Sequence, residues 1–510
     1  MTSPLLPMFA ALALCGMLLP AVAQAQDAVP TCRYIDIGSL PLRYTGPSLD
    51  LTTEGSINGA PATMLVDTGA FDTLLIRTAA ERRKLPMRAT HRIARGVGGE
   101  AAIHEALVAD LSVGPTASGA AWLSMLGDFG FVPDYDALVG APFLLQADLE
   151  ISLASKSLRF FRPSNCDGQF LAYWDENAME IPFAAPRGHR GPNPPFFVHV
   201  NGKRMRAMID TGAGVTVIGR AAAERAGLKL DAPGVTRLSA IAGVGRDRVA
   251  RWSTVFDTFQ IAQETVRNAH IGVVDWDDDI DIDILLGADF LRSHRVLIAM
   301  SQRKIYLSYL GGAPFGQRSK LEPWIVAEAE AGNHDAQMLA AHMVSQGTGR
   351  AEDVARAADW IEKAALGGNP LAAMYTGHAL VAQGFLEQGI VRLRHAAARL
   401  PAHGRAARWL YLARVRDKQV DLARSELTAH LARQADQAWP RPVAEFYLGR
   451  ITAETLLAQA GGDGKYGPAH RCETLLDMAD WHGAHGESAQ EAALTARHAA
   501  QCATAPRALQ

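Results

Sequence analysis

The chain has 510 residues, of which 48% are apolar and 20% are charged, so it is long enough for about three globular domains. This composition excludes a mainly disordered protein. Fifty Lys and Arg residues stand against 53 Asp and Glu residues, and the formal net charge of −3 gives no concentrated positive field for nucleic acid or an anionic membrane surface.

The N-terminal segment is typical of an exported protein. The first 26 residues carry no charged side chain, and an apolar stretch from Leu5 to Val22 ends in an Ala-x-Ala pattern that reaches Ala25. We therefore predict a signal peptide over residues 1–25 and a periplasmic or secreted protein. The alternative is an uncleaved membrane anchor, which the prolines in this segment disfavour. No later stretch is long and apolar enough to span a membrane.

Removal of the signal peptide leaves four cysteines, an even number that suits an oxidising compartment. Three pairings are possible. We favour disulfides between Cys32 and Cys166 and between Cys472 and Cys502, because each pair brackets one predicted unit. Free thiols are the alternative, and they would argue against export.

The region from about residue 50 to residue 310 contains a duplication with an offset of 143 residues. In each copy an Asn-Gly pair precedes an apolar strand and an Asp-Thr-Gly-Ala loop. The first copy has Asn58-Gly59 and Asp67-Thr68-Gly69-Ala70, and the second has Asn201-Gly202 and Asp210-Thr211-Gly212-Ala213. Asn-Gly flanked by apolar residues predicts a β-hairpin, and a β-rich unit of about 110 residues fits a small closed barrel.

The two aspartates of these loops carry the predicted chemistry. Hydrolysis of a peptide bond by water needs one carboxylate to accept a proton and one carboxylic acid to polarise the carbonyl group. Two aspartates about 3 Å apart supply both, because like charges at that distance share one proton. One Asp-Thr-Gly is weak evidence, since this triplet is common in turns. Two matching loops, each after an apolar strand, favour a catalytic site.

At these residues the sequence resembles the retropepsin-like aspartic peptidases. Asp67-Thr68-Gly69-Ala70-Phe71-Asp72-Thr73 and Asp210-Thr211-Gly212-Ala213-Gly214-Val215-Thr216 look like the active-site loop of that family. Val139-Gly140 and Leu286-Gly287 look like the apolar element behind it. The resemblance covers residues 45–310 and implies tandem acid-protease barrels. It also implies a catalytic dyad of Asp67 and Asp210, which Thr68, Gly69, Thr211 and Gly212 support. Both copies lie in one chain, as in pepsin-like enzymes, and pairing of like copies between two chains is the alternative.

Such a site also needs flaps that close over an extended peptide. Two glycine-rich runs fall at the expected places: Gly96-Val97-Gly98-Gly99 and Gly243-Val244-Gly245. A dinucleotide-binding loop is disfavoured because no strand-to-helix pattern surrounds either run. An ordinary hairpin tip is the remaining alternative, since neither run has an aromatic residue.

Six aspartates between Asp275 and Asp283 raise the question of a calcium site. The glycine and distal glutamate of a calcium-binding loop are missing. Asp281 and Asp283 align with Asp134 and Asp136 of the first copy, so a shared structural loop is the preferred interpretation. We expect neither a metal nor a cofactor.

Beyond residue 311 the sequence becomes rich in alanine and leucine with helical spacing. Gly332-Asn333 recurs as Gly368-Asn369, a period of 36 residues, and the segment resembles tetratricopeptide and SEL-type helical repeats. We therefore expect a multidomain protein with lobes at 45–165 and 175–310 and an all-α tetratricopeptide-like repeat domain at 320–505. A protein partner on the repeats is expected, and a passive cap on the barrels is the alternative.

Together these features predict an exported aspartic endopeptidase that acts on a peptide or protein substrate. The alternative is a non-catalytic peptide-binding or scaffold protein that uses the same fold. The two intact loops favour the enzyme, because a binding module has no chemical need for two aspartates.

Overall fold

The structure is a computed structural model. It describes residues 31–96, 99–126, 133–185, 191–241, 249–276, 281–316, 320–348, 351–400, 404–432, 439–462 and 467–502. The predicted signal peptide lies outside these residues. Two β-rich lobes are followed by a C-terminal helical region, which confirms the predicted fold class.

The first lobe consists of strands that form one sheet and of two short helices. They are β2 (Arg43–Thr45), β3 (Asp50–Ile57), β4 (Ala60–Asp67), β5 (Leu74–Ile76), α1 (Arg77–Arg82), β6 (Met87–Gly96), β7 (Gly99–Val108), β8 (Leu111–Val113), β9 (Thr116–Ser118), β10 (Ala121–Leu126), β11 (Ala137–Gly140) and α2 (Ala141–Leu144). Pairing runs in the order β7-β10-β5-β11-β4-β3-β8. Since β7 and β8 are consecutive parts of one strand, interrupted at Ala109 and Asp110, this path returns to its starting strand.

The second lobe repeats this arrangement. Its elements are β15 (Phe196–Val200), β16 (Lys203–Ile209), β17 (Val217–Gly219), α3 (Arg220–Arg225), β18 (Thr236–Ile241), β19 (Val249–Ile261), β20 (Glu264–Val274), β21 (Ile284–Leu286) and α4 (Ala288–Leu291). Pairing of β15 with both β16 and β19 closes a six-stranded barrel. Along β19, Val255 is exposed and Phe256 is buried, which is the alternation of a strand with one face in a core.

A third sheet joins the lobes. It consists of β1 (Arg33–Pro41), β12 (Asp148–Ser152), β13 (Ser157–Ser164), β14 (Met179–Pro182), β22 (His294–Ala299) and β23 (Lys304–Tyr309). The order is β1-β13-β12-β22-β23-β14, and β12 pairs with β22 so that Leu149 lies opposite Ile298. The two copies of the duplication therefore share one continuous sheet.

The helical region contains a series of short helices. They are α5 (Pro323–Glu330), α6 (His334–Met343), α7 (Ala351–Leu366), α8 (Pro370–Ala382), α9 (Leu386–Arg399), α10 (Gly404–Arg416), α11 (Val420–Ala432), α12 (Arg441–Tyr447), α13 (Ala453–Gly461), α14 (Gly467–Ala484) and α15 (Ser488–Cys502), and a π-helical turn (Val344–Thr348) follows α6. Helices that follow one another pack together, including α6 with α7 and α8 with α9.

The repeated Gly-Asn pair is the connector between two helices. Asn333 caps α6, and its Oδ1 accepts a hydrogen bond from the backbone N–H of Ala336 at 3.0 Å. At the same place in the next unit, Asn369 Oδ1 accepts from the N–H of Ala372 at 2.9 Å. An asparagine is favoured here because its side chain satisfies an N–H group that has no partner within the helix.

The hydrophobic core does not divide where the composition changes. One cluster of buried residues extends through both lobes and continues into α5, α6 and α7, where it includes Ile325, Ala340 and Trp360. A separate cluster begins in α8 with Ala373 and Met374. The first three helices of the helical region therefore share a core with the lobes.

Polar contacts reinforce this junction. The Nδ2 of Asn333 donates to the carbonyl oxygen of Tyr44 at 2.9 Å, and the N–H of Gly46 donates to Asp335 Oδ2 at 2.7 Å. The guanidinium of Arg292 lies 4.0 Å from the centre of the Trp324 ring. The connector that caps α6 is thus also the point where α6 is attached to the first lobe.

Both expected disulfides are present. Cys32 is bonded to Cys166 and Cys472 is bonded to Cys502. The first ties β1 to the segment after β13, and the second joins α14 to α15. Within the described parts of the chain, no helix combines the length and the apolar character that a membrane crossing requires.

Candidate active site

Each Asp-Thr-Gly loop is reached through the predicted hairpin. Asn58 and Gly59 have φ values of 52° and 73°, and Asn201 and Gly202 have 48° and 74°. Positive φ at both turn positions is what an Asn-Gly turn between two strands requires. The hairpins β3–β4 and β15–β16 are therefore confirmed, and each second strand leads directly to an aspartate.

The apolar elements that end in Val139-Gly140 and Leu286-Gly287 lie beside these strands, as expected. In the first lobe β11 runs parallel to β4, with Val139 opposite Val66 and Gly140 opposite Asp67. In the second lobe Leu286 of β21 lies opposite Ile209 of β16. Both aspartates thus stand at the end of a strand that is paired on two sides, which limits movement of the loop that follows.

The two loops meet through a symmetrical set of hydrogen bonds made by their threonines. The N–H of Thr68 donates to Thr211 Oγ1 at 3.0 Å, and the N–H of Thr211 donates to Thr68 Oγ1 at 3.1 Å. The Thr68 hydroxyl donates to the carbonyl of Ile209 at 2.8 Å, and the Thr211 hydroxyl donates to that of Val66 at 2.7 Å. Both threonines are buried, so these bonds hold the lobes together under the aspartates.

Backbone N–H groups orient each carboxyl group. Asp67 Oδ1 accepts from the N–H of Gly69 at 2.9 Å and from that of Ala70 at 3.0 Å. In the second loop, Asp210 Oδ1 accepts from Gly212 at 3.0 Å and from Ala213 at 3.2 Å. The structure thus brings together Asp67 and Asp210, with Thr68, Gly69, Thr211 and Gly212 around them.

The two glycines allow the carboxyl groups to approach the opposite loop. A side chain on Gly69 would place its first carbon 2.6 Å from Asp210 Oδ1, and one on Gly212 would place it 2.5 Å from Asp67 Oδ1. Any larger residue would collide with the partner carboxylate. The glycine requirement therefore comes from close packing between the two loops.

The carboxyl groups of Asp67 and Asp210 lie close enough for each to change the pKa of the other. Burial is the main cause that raises the pKa of Asp67 well above its usual value, and the charge of Asp210 adds to it. Burial also raises the pKa of Asp210, against the lowering effect of the Gly212 N–H. Such a pair retains one proton at a pH where isolated aspartates would both be ionised.

A second layer of contacts supports each loop. Thr73 Oγ1 accepts from the N–H of Gly140 at 3.2 Å, and Thr216 Oγ1 accepts from that of Gly287 at 3.1 Å. The second lobe adds a buried carboxylate that the sequence did not single out: Asp289 Oδ1 accepts from the Thr216 hydroxyl at 2.7 Å. The corresponding residue of the first copy is a proline, so the two supports differ.

Sequence reasoning also missed Asn193, which lies between the lobes just before β15. Its side chain is buried, and its Nδ2 donates to the carbonyl oxygens of Thr68 and Ile209, each at 2.7 Å. The only signal was a single asparagine among prolines ahead of an apolar strand, and such a pattern is typical of an ordinary linker.

The flap prediction is only partly within the described residues. Gly96 and Gly99 lie opposite each other at the end of the β6–β7 hairpin. Val97, Gly98 and the run Gly243-Val244-Gly245 lie outside the described residues. In the second lobe Ile241 pairs with Val249 on the two sides of that run, so it connects β18 to β19.

The aligned acidic positions outside the dyad make equivalent contacts. Asp136 Oδ2 accepts from the N–H of Thr63 at 3.1 Å, and Asp283 Oδ2 accepts from that of Arg206 at 2.8 Å. Each also forms an ion pair with an arginine near the end of the neighbouring short helix, Arg82 or Arg225. These contacts give both aspartates a structural role in anchoring that helix to its barrel.

Comparison with known proteins agrees with this geometry. Residues 53–125 and 197–290 match the family model described as aspartyl protease, and each segment contains one Asp-Thr-Gly loop. Each of the two lobes is therefore similar in sequence to aspartyl proteases. The chain is similar to the crystal structure of the aspartic proteinase from Irpex lacteus, with 13% identity and a TM-score of 0.37, over 55% of this chain and 99% of that chain. It is also similar to the crystal structure of edgp, with 11% identity and a TM-score of 0.32, over 53% and 94% of the two chains. No curated protein sequence matches the chain.

Two neighbouring carboxyl groups that share one proton can act as one acid and one base. The protonated member can donate a hydrogen bond, while the ionised member can accept a proton from water. The backbone N–H groups of both loops keep the outer carboxylate oxygens in place, so little rearrangement is needed when a proton moves.

Proposed function

We propose that the protein is an exported aspartic-type endopeptidase in which Asp67 and Asp210 form the catalytic dyad within one chain. The observation that carries this proposal is the placement of the two carboxyl groups. Each one packs against the glycine of the opposite loop and is held by an equivalent N–H donor, and the pKa of each is raised. Buried like charges are unfavourable, so a purely structural pair would more simply be one carboxylate and one neutral residue.

The proposed reaction uses the single proton of the dyad. The ionised carboxylate accepts a proton from a water molecule, and the water oxygen attacks the carbonyl carbon of the scissile peptide bond. The protonated carboxyl group donates its proton to the carbonyl oxygen, which gives a neutral tetrahedral diol. The carboxyl group that took the proton from water then donates it to the nitrogen, and the other carboxylate accepts a proton from a diol hydroxyl. The C–N bond breaks, the amine and the new carboxylic acid leave, and the dyad again holds one proton.

Other parts of the proposal concern the surroundings of the dyad. The runs at residues 96–99 and 243–245 act as flaps that cover an extended peptide, and hairpin β6–β7 supports this role by ending at Gly96 and Gly99. The helical region binds a protein partner. Export is supported by the two disulfides, which form and persist in oxidising compartments.

The test is cleavage of a peptide library by the chain that begins after residue 25. Asp67→Asn and Asp210→Asn each remove one ionisable group at almost unchanged volume, so kcat should fall by roughly 10³-fold or more while the protein stays folded. Asp231→Asn, at an exposed turn, is the matched control and should retain full activity.

Two results would contradict the proposal. Near-normal turnover in either dyad variant would mean that the dyad is assigned wrongly. Tight binding of peptides with no cleavage by the unaltered protein would instead support the non-catalytic peptide-binding alternative. Activity that persists in each single variant and disappears in the double variant would show that like copies pair between two chains, because each single variant would still carry one complete pair of aspartates.

A further inference from the structure

The connection between the lobes contributes a buried amide directly below the dyad. Asn193 is 3% exposed, and both of its described hydrogen-bond partners are backbone carbonyl oxygens. Only the NH₂ group of an amide can donate to two carbonyls, so these contacts determine which way the side chain is oriented. One partner belongs to the first active-site loop and the other to the strand that carries Asp210.

The first contact acts on the same peptide group that holds Asp67. The carbonyl oxygen of Thr68 and the N–H of Gly69 belong to one peptide unit. Asn193 donates to that oxygen at 2.7 Å, and that N–H donates to Asp67 Oδ1 at 2.9 Å. Hydrogen bonds arranged in a chain polarise one another, so the amide strengthens the donor that Asp67 receives.

The second contact restrains the backbone at Asp210. The carbonyl oxygen of Ile209 accepts from Asn193 at 2.7 Å and from the Thr68 hydroxyl at 2.8 Å. The N–H of the same peptide unit, which belongs to Asp210, donates to the carbonyl of Leu286 at 2.9 Å. Rotation of this unit would break all three bonds, so the position of the Asp210 carboxyl group depends on the amide.

These contacts break the internal symmetry of the site. At the offset of 143 residues the position of Asn193 corresponds to Asp50, which lies in β3 opposite Thr45 of β2. The threonine bonds, by contrast, are repeated in both lobes. Asn193 Oδ1 is buried and has no hydrogen-bond partner among the described residues. The site therefore keeps an unpaired oxygen in order to retain the two N–H donors.

We propose that Asn193 is a positioning residue that orients the Thr68–Gly69 peptide toward Asp67 and makes the two members of the dyad inequivalent. This inference rests on the proposed peptidase function. It assigns to the segment between the lobes a role in catalysis beyond joining them.

The test compares Asn193→Leu, which has a similar size and no donor, with Asn193→Ala, which leaves space for a water molecule. Loss of both donors should lower kcat of Asn193→Leu on a fluorogenic peptide by about tenfold or more, with KM changed less than about twofold. The Asp67 carboxylate loses stabilisation, so the kcat/KM profile of the dyad should move to higher pH by about half a pH unit. Asn193→Ala should show a smaller change in the same direction.

Asn369→Ala is the matched control, because Asn369 is also a buried asparagine that donates to an oxygen and caps a backbone N–H. This variant should lower the melting temperature without altering the pH profile. Wild-type kcat and pH profile in a folded Asn193 variant would overturn the proposal, and so would failure of both variants to fold, which would indicate a purely structural role. If the unaltered protein cleaves no peptide, the proposed function itself fails.

Discussion

The buried carboxyl group of Asp289 should make the stability of the second lobe depend on pH. Asp289 is 3% exposed, and its Oδ1 accepts from the N–H and hydroxyl of Thr216 and from the N–H of Phe290 at 2.7 to 2.8 Å. These bonds favour the charged form, but burial has the larger effect and raises the pKa of Asp289 from 3.8 to about 6.

The direction of the effect follows from proton binding. The folded protein holds this proton more tightly than the unfolded chain, so the stabilisation is fully present below pH 3.8 and is lost as the pH rises through 6. Each tenfold difference in proton affinity is worth 1.36 kcal/mol, so Asp289 should lower the free energy of unfolding by about 2 kcal/mol between pH 4 and pH 7.5.

Asp289→Asn tests this magnitude because the amide keeps the Oδ1 acceptor and cannot ionise. Relative to the unaltered protein, the variant should gain about 2 kcal/mol of stability as the pH rises from 4 to 7.5. The measurement is urea unfolding at each pH, monitored through the hydrogen exchange of peptides from β21 and β22. These peptides report on the second lobe and not on the distant helices.

Asp231→Asn is the control, and its stability difference should be the same at every pH because this side chain is exposed. Parallel pH curves for Asp289→Asn and the unaltered protein would refute the reasoning. They would show that the folded protein and the unfolded chain bind this proton equally well.

Two further predictions concern the ends of the structural units. A chain that ends at Gly312 should lose roughly 5 kcal/mol or more of stability and aggregate, because the core shared with α5 to α7 becomes exposed. A chain that ends after Leu366 keeps this core and should stay soluble. Equal melting temperatures for the two shortened chains would contradict this prediction. Cys166→Ser should lower the free energy of unfolding by about 1 kcal/mol more than Cys502→Ser, since the disulfides close loops of 134 and 30 residues; denaturant titration of both variants checks the order.

Several parts of the fold could be predicted from the sequence because they depend on neighbouring residues. The Asn-Gly pairs predicted hairpins, since two consecutive positive φ angles are a local requirement. The apolar strand before each aspartate and the apolar element that ends in glycine behind it can each be recognised from a few consecutive residues. The 143-residue repeat then indicated two similar lobes, because each copy contains the same local signals.

The helical region shows where local signals stop being sufficient. The change of composition near residue 311 marks the transition from strands to helices, and the 36-residue period marks a helix connector. The same features do not indicate that α5 to α7 share their core with the lobes. Alanine and leucine at helical spacing show that a helix has an apolar face, but they do not show which surface covers that face.

Only the tertiary structure assigned the polar residues around the dyad. Asn193 contacts Thr68 across 125 residues of sequence, and Asp289 contacts Thr216 across 73. A single polar residue has no periodicity, so nothing near it in the chain distinguishes a linker asparagine from one that supports the active site. Its role arises when the six-stranded sheet brings the two lobes together, because only then do the carbonyl groups of both loops lie within reach of one amide.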